Sequence, residues 1–261
     1  MSTPFDFFCL GTSDCFPKIG NDSSSYLLDG HILIDTGYAT VNTLLNHGID
    51  PMNIDTIIFT HLHFDHYAGL SQLLYYIYFH CYHLKEHLTI IAPPEQIDGV
   101  LDLAIDYFRS EDCPACERER IGQPTVIKLP ERGTIDYKGY TIDFIPSIHA
   151  VPGRLYKITN ADGHTIGFSG DTAFFPEIND FFSGIDTLVF ENSYATSEHV
   201  PAQKPGHSSA HDAGRVARDA GVGRLVLVHS SHTDREAAIA TAAQYYIGPI
   251  CYPRTGDTDK I

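Results

Sequence analysis

The sequence predicts an α/β fold in which mixed sheets are flanked by helices, and three observations support this. Runs typical of strands alternate with runs typical of helices along most of the chain. Turn signals such as Asp29-Gly30, Lys138-Gly139 and Asp162-Gly163 separate neighbouring strands. With 261 residues and 43% apolar content, the chain can bury a sizeable core. We therefore expect one domain, or two closely merged halves, over residues 1–261.

The first predicted elements are strands at residues 5–10, 25–28 and 31–34. The Asp29-Gly30 turn joins the last two, so an antiparallel set is expected. A helix over residues 39–47 ends at Gly48, and a strongly apolar strand follows at 54–59. Next come a helix at 68–79, a strand at 88–92 and a helix at 95–108.

Short strands dominate the middle of the chain, and helices return towards its end. The predicted strands lie at residues 125–129, 134–137, 140–146, 155–159 and 164–169. They are followed by a strand at 187–190, a helix at 208–219, a strand at 224–228, a helix at 233–246 and an apolar segment at 249–252. This order of elements is typical of mixed sheets that are flanked by helices.

Three histidines and an aspartate lie within six positions directly after the predicted strand at 54–59: His61, His63, Asp65 and His66. Such crowding is costly unless a cation shares their lone pairs, and imidazole with carboxylate suits zinc, manganese or iron. His61 and His63 alternate as residues on extended backbone do, whereas Asp65 and His66 come where the chain turns towards a helix. We interpret the cluster as a metal site with two pairs of ligands for two neighbouring ions, rather than a histidine-rich surface loop.

Three further polar residues, His149, Asp171 and His229, each follow an apolar strand. From that position a side chain reaches a site along the edge of the sheet. Any one of them alone would be interpreted as a structural residue. Together with the histidine cluster they indicate a binuclear site, because two metals need about seven side-chain ligands including one bridge.

The formal charge of −16 indicates an acidic surface, and no basic stripe is visible among the 17 Lys and Arg. A protein that binds a long polyanion usually carries such a stripe, so we expect a small-molecule substrate rather than a folded RNA. The apolar runs are too short to span a bilayer, and the N-terminal residues lack the features of a signal peptide. We therefore expect a cytoplasmic protein with no membrane partner.

The six cysteines are expected to be reduced thiols, because the chain is long and has no secretory signal. Cys113 and Cys116 alone have the spacing of a metal clip, but no second pair is evident. A Pro-containing turn is the favoured interpretation of this pair, with a structural zinc as the alternative.

These motifs make the sequence resemble the metallo-β-lactamase superfamily from Phe5 to about Tyr246. The series His61-x-His63-x-Asp65-His66, His149, Ser169-Gly170-Asp171-Thr172 and His229 is similar to the complete ligand series of that superfamily. Within it, the sequence looks most like the ribonuclease Z branch. That likeness lies in Leu10-Gly11-Thr12-Ser13, Asp35-Thr36-Gly37, Leu188-Val189-Phe190-Glu191-Asn192 and Gly206-His207-Ser208-Ser209-Ala210.

The resemblance implies an αββα sandwich with the site at one edge. It also implies two divalent metal ions, for which zinc is the expected metal and manganese or iron are alternatives. It assigns His61, His63 and His149 to one ion, Asp65, His66 and His229 to the other, and Asp171 to both. Two such ions deprotonate a shared water near neutral pH. His207, held by Glu191, would protonate the leaving alkoxide. The implied catalytic residues are therefore Asp65, Glu191 and His207; a helix-capping or core-edge pair is the alternative for Glu191 and His207.

The sequence departs from the ribonuclease Z pattern in two places. Short ribonuclease Z enzymes carry a long arm for transfer RNA between the third and fourth ligand motifs, but only residues 150–170 lie there in this chain, enough for a hairpin. His229 is followed by Ser230-Ser231-His232 instead of Phe-Ser-x-Arg-Tyr. Transfer RNA is therefore not expected as a substrate.

Residues 67–124 include an aromatic-rich helical run at 73–79, with Tyr82, Tyr107 and Phe108 nearby. The run is apolar nearly all round, so beyond core packing we expect part of this segment to cover a pocket or to form a homodimer interface.

Taken together, the residues and the resemblance predict a binuclear metal-dependent hydrolase, a phosphodiesterase for a small or cyclic phosphodiester. One alternative is hydrolysis of a lactone, thioester or lactam, because the same chemistry attacks carbonyl carbon. Lactonase relatives have a tyrosine shortly after the bridging aspartate, where this chain has Phe174 and Phe175. A metal-occupied sensor or binding protein without turnover is a second alternative, and iron-based oxygen chemistry is a third.

Overall fold

The computed structural model describes residues 4–81, 83–106, 123–197, 206–230 and 234–260. In chain order, the first half contains β1 (Asp6–Ser13), β2 (Asp22–Ser23), β3 (Ser25–Leu28), β4 (Ile32–Ile34), α1 (Thr40–Asn46), a 3-10 turn (Pro51–Asn53), β5 (Thr56–Ile58), α2 (Phe64–Tyr67), α3 (Leu70–Cys81), α4 (Leu84–His87), β6 (Thr89–Ala92) and α5 (Ile97–Asp106). The second half contains β7 (Thr125–Lys128), β8 (Gly133–Tyr137), β9 (Tyr140–Pro146), β10 (Arg154–Thr159), β11 (Thr165–Phe168), α6 (Glu177–Phe181), β12 (Thr187–Glu191), α7 (Ala210–Ala220), β13 (Arg224–Val228), α8 (Arg235–Ala242), β14 (Ile250–Cys251) and β15 (Thr258–Lys260).

These strands form two mixed sheets within the described residues. The first sheet has the order β15-β1-β3-β4-β5-β6-β7, with β2 paired to β1. The second sheet has the order β14-β13-β12-β11-β10-β9-β8. Strands β4 to β7 run parallel to one another, and so do strands β11 to β14. The short strand β2 is parallel to β1. All other pairs among the described strands are antiparallel. The predicted α/β class with two mixed sheets is confirmed.

The core has three apolar layers that alternate with the sheets. The layer between the sheets includes Tyr26 of the first sheet, whose ring stacks on Phe168 of the second at a centroid distance of 5.9 Å. Outside the first sheet, Leu73 of α3 packs with residues of α1 and α5. Outside the second sheet, Phe182 and Val216 pack beside α6, α7 and α8. Helices therefore cover both outer faces, and the expected αββα sandwich is confirmed.

The helix predicted at residues 68–79 is two helices in the structure. It begins earlier, as α2, and is interrupted at Gly69 before α3 starts. The Gly69 N–H donates to the carbonyl of Gly37 at 2.6 Å, and a Cβ at Gly69 would lie 2.6 Å from the carbonyl oxygen of Thr36. This close backbone approach explains both the break and the need for glycine. The short elements β2, α4, α6 and β15 were not predicted, because so few residues carry little periodicity.

Several predicted features lie outside the described residues: Cys113 and Cys116, the aromatic residues Tyr82, Tyr107 and Phe108, and the Ser231-His232 dipeptide. Residues 150–170 form a hairpin as predicted, because β10 and β11 pair antiparallel from Tyr156 opposite Phe168 to Thr159 opposite Thr165. None of the helices in the described ranges combines the length and apolar character that crossing a membrane requires.

Candidate metal centre

The seven residues predicted as ligands converge where the two sheets meet at one edge. Strand ends place them there: His61 and His63 follow β5, His149 follows β9, Asp171 follows β11 and His229 follows β13. Asp65 and His66 lie in α2. Their ligand atoms form two groups, each with all atoms within 4.8 Å of one another. The first group is His61, His63, His149 and Asp171; the second is Asp65, His66 and His229.

Asp171 lies between the two groups and is 4% exposed. Its Oδ2 atom faces the first group, 3.7 Å from His61 Nε2 and 3.8 Å from His149 Nε2. Its Oδ1 atom faces the second group, 3.6 Å from His66 Nε2 and 3.2 Å from His229 Nε2. One carboxylate oxygen per group is the arrangement that a bridging ligand requires.

Two of these atoms are buried without a hydrogen-bond partner, the Nε2 of His61 and the Oδ1 of Asp171. Buried polar atoms are rarely left unsatisfied, so an orphaned pair at the middle of a ligand cluster needs an explanation. Imidazole nitrogens and carboxylate oxygens are also the donor set that zinc and similar cations bind. The residues present therefore fit a pair of divalent metal ions.

Asp35 orients His66 of the second group. In the sequence, Asp35 was identified only as part of the Asp35-Thr36-Gly37 motif, and no role was assigned to it. It follows β4 with a φ of 55°, a conformation uncommon for residues other than glycine. Its carboxylate accepts the N–H and hydroxyl of Thr60 at 2.8 and 2.7 Å. It also accepts the Nδ1–H of His66 at 2.8 Å. This last bond directs the Nε2 lone pair of His66 towards the cluster.

In the first group, a backbone carbonyl orients the imidazole of His149. His149 Nδ1 lies 2.6 Å from the carbonyl oxygen of Gly206, so Nε2 faces the cluster, 2.9 Å from His63 Nδ1 and 3.8 Å from Asp171 Oδ2. Gly206 has a φ of 122°, and a Cβ there would lie 3.0 Å from His149 Nδ1. Glycine at this position therefore allows the close approach that fixes the imidazole.

The electrostatic environments of the two groups differ. In the first group, burial and neighbouring imidazoles lower the pKa of His61 well below its usual range, and they also lower the pKa of His63. In the second group, burial lowers the pKa of His66 but the charges of Asp171 and Asp35 outweigh it, so the pKa is raised well above its usual range. The pKa of His229 is also raised, because Asp171 and Asp65 outweigh burial.

The predicted pair of Glu191 and His207 is adjacent to the cluster. His207 Nδ1 lies 3.1 Å from Glu191 Oε1 and 3.8 Å from Asp171 Oδ2. Burial lowers the pKa of His207, but the hydrogen bond and charge of Glu191 outweigh it and raise the pKa to about 9. The first turn of α7 is capped by Ser209 and Asp212 instead. His207 is therefore a partly exposed imidazole beside the candidate metal centre, and its contact with Glu191 favours the protonated form.

Ser193 was not identified from the sequence, although it links this pair to the ligands. Its hydroxyl donates to Glu191 Oε2 at 2.6 Å and lies 2.8 Å from His229 Nδ1, which can donate to it. It also lies 3.1 Å from His207 Nδ1. The sequence offered one indication of Ser193, its position two residues after Glu191. That position did not show that the Ser193 side chain would contact Glu191 and His229.

A cavity of about 700 Å³ opens beside α2, the helix that carries Asp65 and His66. Its walls are mainly apolar and include Phe64, Tyr67, Tyr75 and Leu103. Phe64 is 61% exposed although it immediately precedes Asp65. Tyr67, Tyr75 and Leu103 of this wall belong to the segment at 67–124, whose role in covering a pocket or forming a homodimer stays a prediction.

Comparison with known proteins gives consistent similarities. The beta-lactamase superfamily domain family matches residues 31–230. The chain is 28% identical to the ribonuclease Z of Picrophilus torridus, over 88% of this chain and 87% of that protein. It is 26% identical to the probable metallo-hydrolase YhfI of Bacillus subtilis, over 85% and 86% of the two chains. The crystal structure of YhfI superimposes with a TM-score of 0.82 at 21% identity, over 98% of this chain and 99% of YhfI.

Proposed function

Since the chain belongs to the β-lactamase superfamily and is a metal-dependent hydrolase, we propose that it cleaves a small or cyclic phosphodiester at a binuclear metal centre. The observation that carries this proposal is the position of the Glu191–His207 pair beside the two ligand groups. A protonated imidazole suits an alkoxide leaving group, which needs a proton as the ester bond breaks.

The proposed ligand assignment follows the two groups. His61, His63 and His149 would hold one divalent ion, and Asp171 would serve both ions. The second ion would be held by the remaining three residues: Asp65, His66 and His229. Zinc is the proposed metal, because imidazole and carboxylate donors suit it; manganese and iron accept the same donors.

When bound, two such ions supply a deprotonated water near neutral pH and neutralise charge on a phosphoryl oxygen. The residues of the chain orient and protonate the leaving group. Nδ1 of His207 donates a hydrogen bond to Glu191, so the opposite nitrogen, Nε2, is available to give its proton to the leaving oxygen. Glu191 is itself fixed by the Thr172 N–H at 2.6 Å and by the Ser193 hydroxyl at 2.6 Å. This anchoring keeps the imidazole oriented and protonated.

A small substrate is proposed because the described chain offers little to hold a large polyanion. The segment between His149 and Asp171 is limited to the β10–β11 hairpin. The net charge of −16 would repel a transfer RNA, for which phosphate contacts supply much of the affinity. The second candidate function is processing of precursor transfer RNA, which the likeness to ribonuclease Z of Picrophilus torridus favours.

A panel of substrates, assayed side by side with the purified and metal-counted protein, tests the proposal. The panel comprises bis(4-nitrophenyl) phosphate, a 2′,3′-cyclic nucleotide, a lactone, a thioester, a β-lactam and a precursor transfer RNA. We expect metal-dependent cleavage of the diesters and undetectable or very slow trimming of the RNA. Efficient, position-specific trimming would establish the second candidate instead. Faster turnover of a carbonyl ester than of either small diester would also contradict the proposal.

A further inference from the structure

A second cavity, of about 370 Å³, lies next to the candidate metal centre and has a different character. We call it the cationic pocket and define it by three positively charged residues in its wall: Lys18, Arg235 and Arg254. The wall of the cationic pocket also includes Ser13, Ser230 and Tyr252.

These three cations differ from most others in this acidic protein. With 33 Asp and Glu against 17 Lys and Arg, a cation readily finds a partner. Lys128, for example, pairs with Asp98 at 2.6 Å, and Arg132 pairs with Glu177 at 2.7 Å. Among the side chains that the structure describes, the Lys and Arg residues without an ion-pair partner are Lys18, Lys85, Arg235 and Arg254. All but Lys85 line the same cavity, which is the arrangement of an anion site.

Arg235 provides a second, independent observation. Its Nε atom is buried and has no hydrogen-bond partner. Its guanidinium lies over the ring of Tyr252, 5.3 Å from the centroid, and the Tyr252 hydroxyl donates to the Ser230 carbonyl at 3.1 Å. The guanidinium is thus held against Tyr252 in the wall of the cavity. Guanidinium groups match the oxygen geometry of phosphate, so Arg235 suits a phosphate ligand.

One wall separates the cationic pocket from the candidate metal centre. Ser230 directly follows His229, and its N–H donates to the Thr12 carbonyl at 3.1 Å. The next carbonyl, that of Ser13, accepts the Ser24 hydroxyl at 3.4 Å. Ser24 in turn lines the cleft that contains Asp171 and His229. The linings of the cationic pocket and of this cleft are therefore joined through the backbone at Ser13 and Ser230.

We propose that the cationic pocket binds a second phosphate group of the substrate, so that the preferred substrate is a phosphodiester that also carries a phosphate monoester. The proposal rests on the proposed function for the diester half of the molecule. All three cations lie outside residues 31–230, the range that matches the superfamily.

Two synthetic esters that differ by one phosphate test the proposal. They are thymidine 5′-(4-nitrophenyl phosphate) and the same ester with an added 3′-phosphate. For the wild type we expect kcat/KM to be about 10-fold to 100-fold higher for the ester with the added phosphate, the range for a charge-assisted contact. The preference should weaken at high salt, because exposed charges such as Lys18 are screened.

Variants assign the preference to the pocket. In Lys18→Gln/Arg254→Gln and in Arg235→Gln, the ratio between the two esters should fall to about one. Lys85→Gln is the matched control, because Lys85 also has no ion-pair partner among the described residues and lies outside the pocket; it should keep the wild-type ratio. An equal ratio in all proteins, or a wild-type ratio of one, would overturn the proposal.

Phosphate binding separates a failed pocket from a failed proposed function. Calorimetric titration of the metal-loaded chain with inorganic phosphate should show one more bound equivalent in the wild type and Lys85→Gln than in Lys18→Gln/Arg254→Gln. If neither ester is cleaved, the proposed function fails, and this titration still decides whether the pocket binds phosphate. Equal binding by all three proteins would overturn the pocket. Phosphate binding without a preference between the esters would overturn its role in substrate recognition.

Discussion

The two ligand groups hold the same kind of imidazole in opposite electrostatic surroundings. His61, His63 and His149 have lowered pKa values, because burial and neighbouring imidazoles dominate there. His66 and His229 have raised pKa values, because nearby carboxylates outweigh burial. The first group is therefore ready to bind a cation at neutral pH, whereas the second must first release protons. The difference predicts two metal positions of unequal pH dependence that share a single residue, Asp171.

Removing the shared residue should have the largest effect. Asp171→Ala should lose occupancy at both positions, because one oxygen of Asp171 faces each group. Turnover of bis(4-nitrophenyl) phosphate should fall by about 1,000-fold or more, since both nucleophile activation and charge neutralisation depend on the ions. Elemental analysis and initial rates check this, with the exposed Asp180→Ala as control. A variant that keeps two ions per chain would contradict the bridging role.

His207→Ala should separate proton donation from metal binding. The variant should keep its ions yet cleave esters with poor leaving groups about 100-fold more slowly, while activated aryl esters lose less. Wild-type activity on poor leaving groups should also decline as the pH rises through the pKa of His207, because the proton is held below that pKa and lost above it. Rates for a series of leaving groups measure both effects; equal losses along the series would indicate another role.

Asp35→Asn should affect the two metal positions unequally. Asp35 contacts His66 of the second group directly, whereas it reaches the first group only through the Thr60 hydroxyl, which lies 3.2 Å from His61 Nδ1. Metal affinity at the second position should therefore fall by about 10-fold to 100-fold, the usual cost of losing such a supporting contact. Calorimetry should show that the binding event at the second position is weakened more than the event at the first. Equal weakening of both events would show that Asp35 supports the whole edge of the sheet.

The pH dependence of metal binding should follow the same asymmetry. The pKa values of His66 and His229 are raised, so in the metal-free chain they keep protons that the ion must displace. Affinity at the second position should rise by about tenfold per pH unit for each proton released. The first position should change little above pH 6.5, because its histidines have lowered pKa values and are already neutral. Metal titrations at pH 6.5 and pH 8 compare the affinities of the two positions. Equal shifts in both affinities would contradict the predicted difference.

Ser193→Ala should have the smallest effect on proton donation, a loss of about 5-fold in turnover of poor leaving groups at saturating metal, because Glu191 and His207 still contact each other directly. Ser193→Thr keeps the hydroxyl and should restore most of the activity. A threonine variant as slow as the alanine variant would show that the site needs the size of serine rather than its hydroxyl.

The sequence was sufficient for features that depend on local pattern. The ligand candidates were found because each follows an apolar strand, and parallel strands bring such ends to one edge. The contacts of Asp35 and Ser193 could not be predicted in this way, because they depend on which side chains meet beyond the ends of neighbouring strands. The cationic pocket could not be predicted from the sequence either, because Lys18 and Arg254 are separated by most of the chain and share no sequence pattern. The interruption at Gly69 likewise depends on a loop that is distant in sequence.

One titration decides whether two ions act together on a phosphodiester. Metal-stripped protein receives zinc in small steps, and its rate with bis(4-nitrophenyl) phosphate is measured after each step. Because Asp171 faces both ligand groups, we predict that the rate continues to rise until two equivalents per chain are bound. A rate that reaches its maximum at one equivalent, or no cleavage with two equivalents bound, would contradict the binuclear phosphodiesterase.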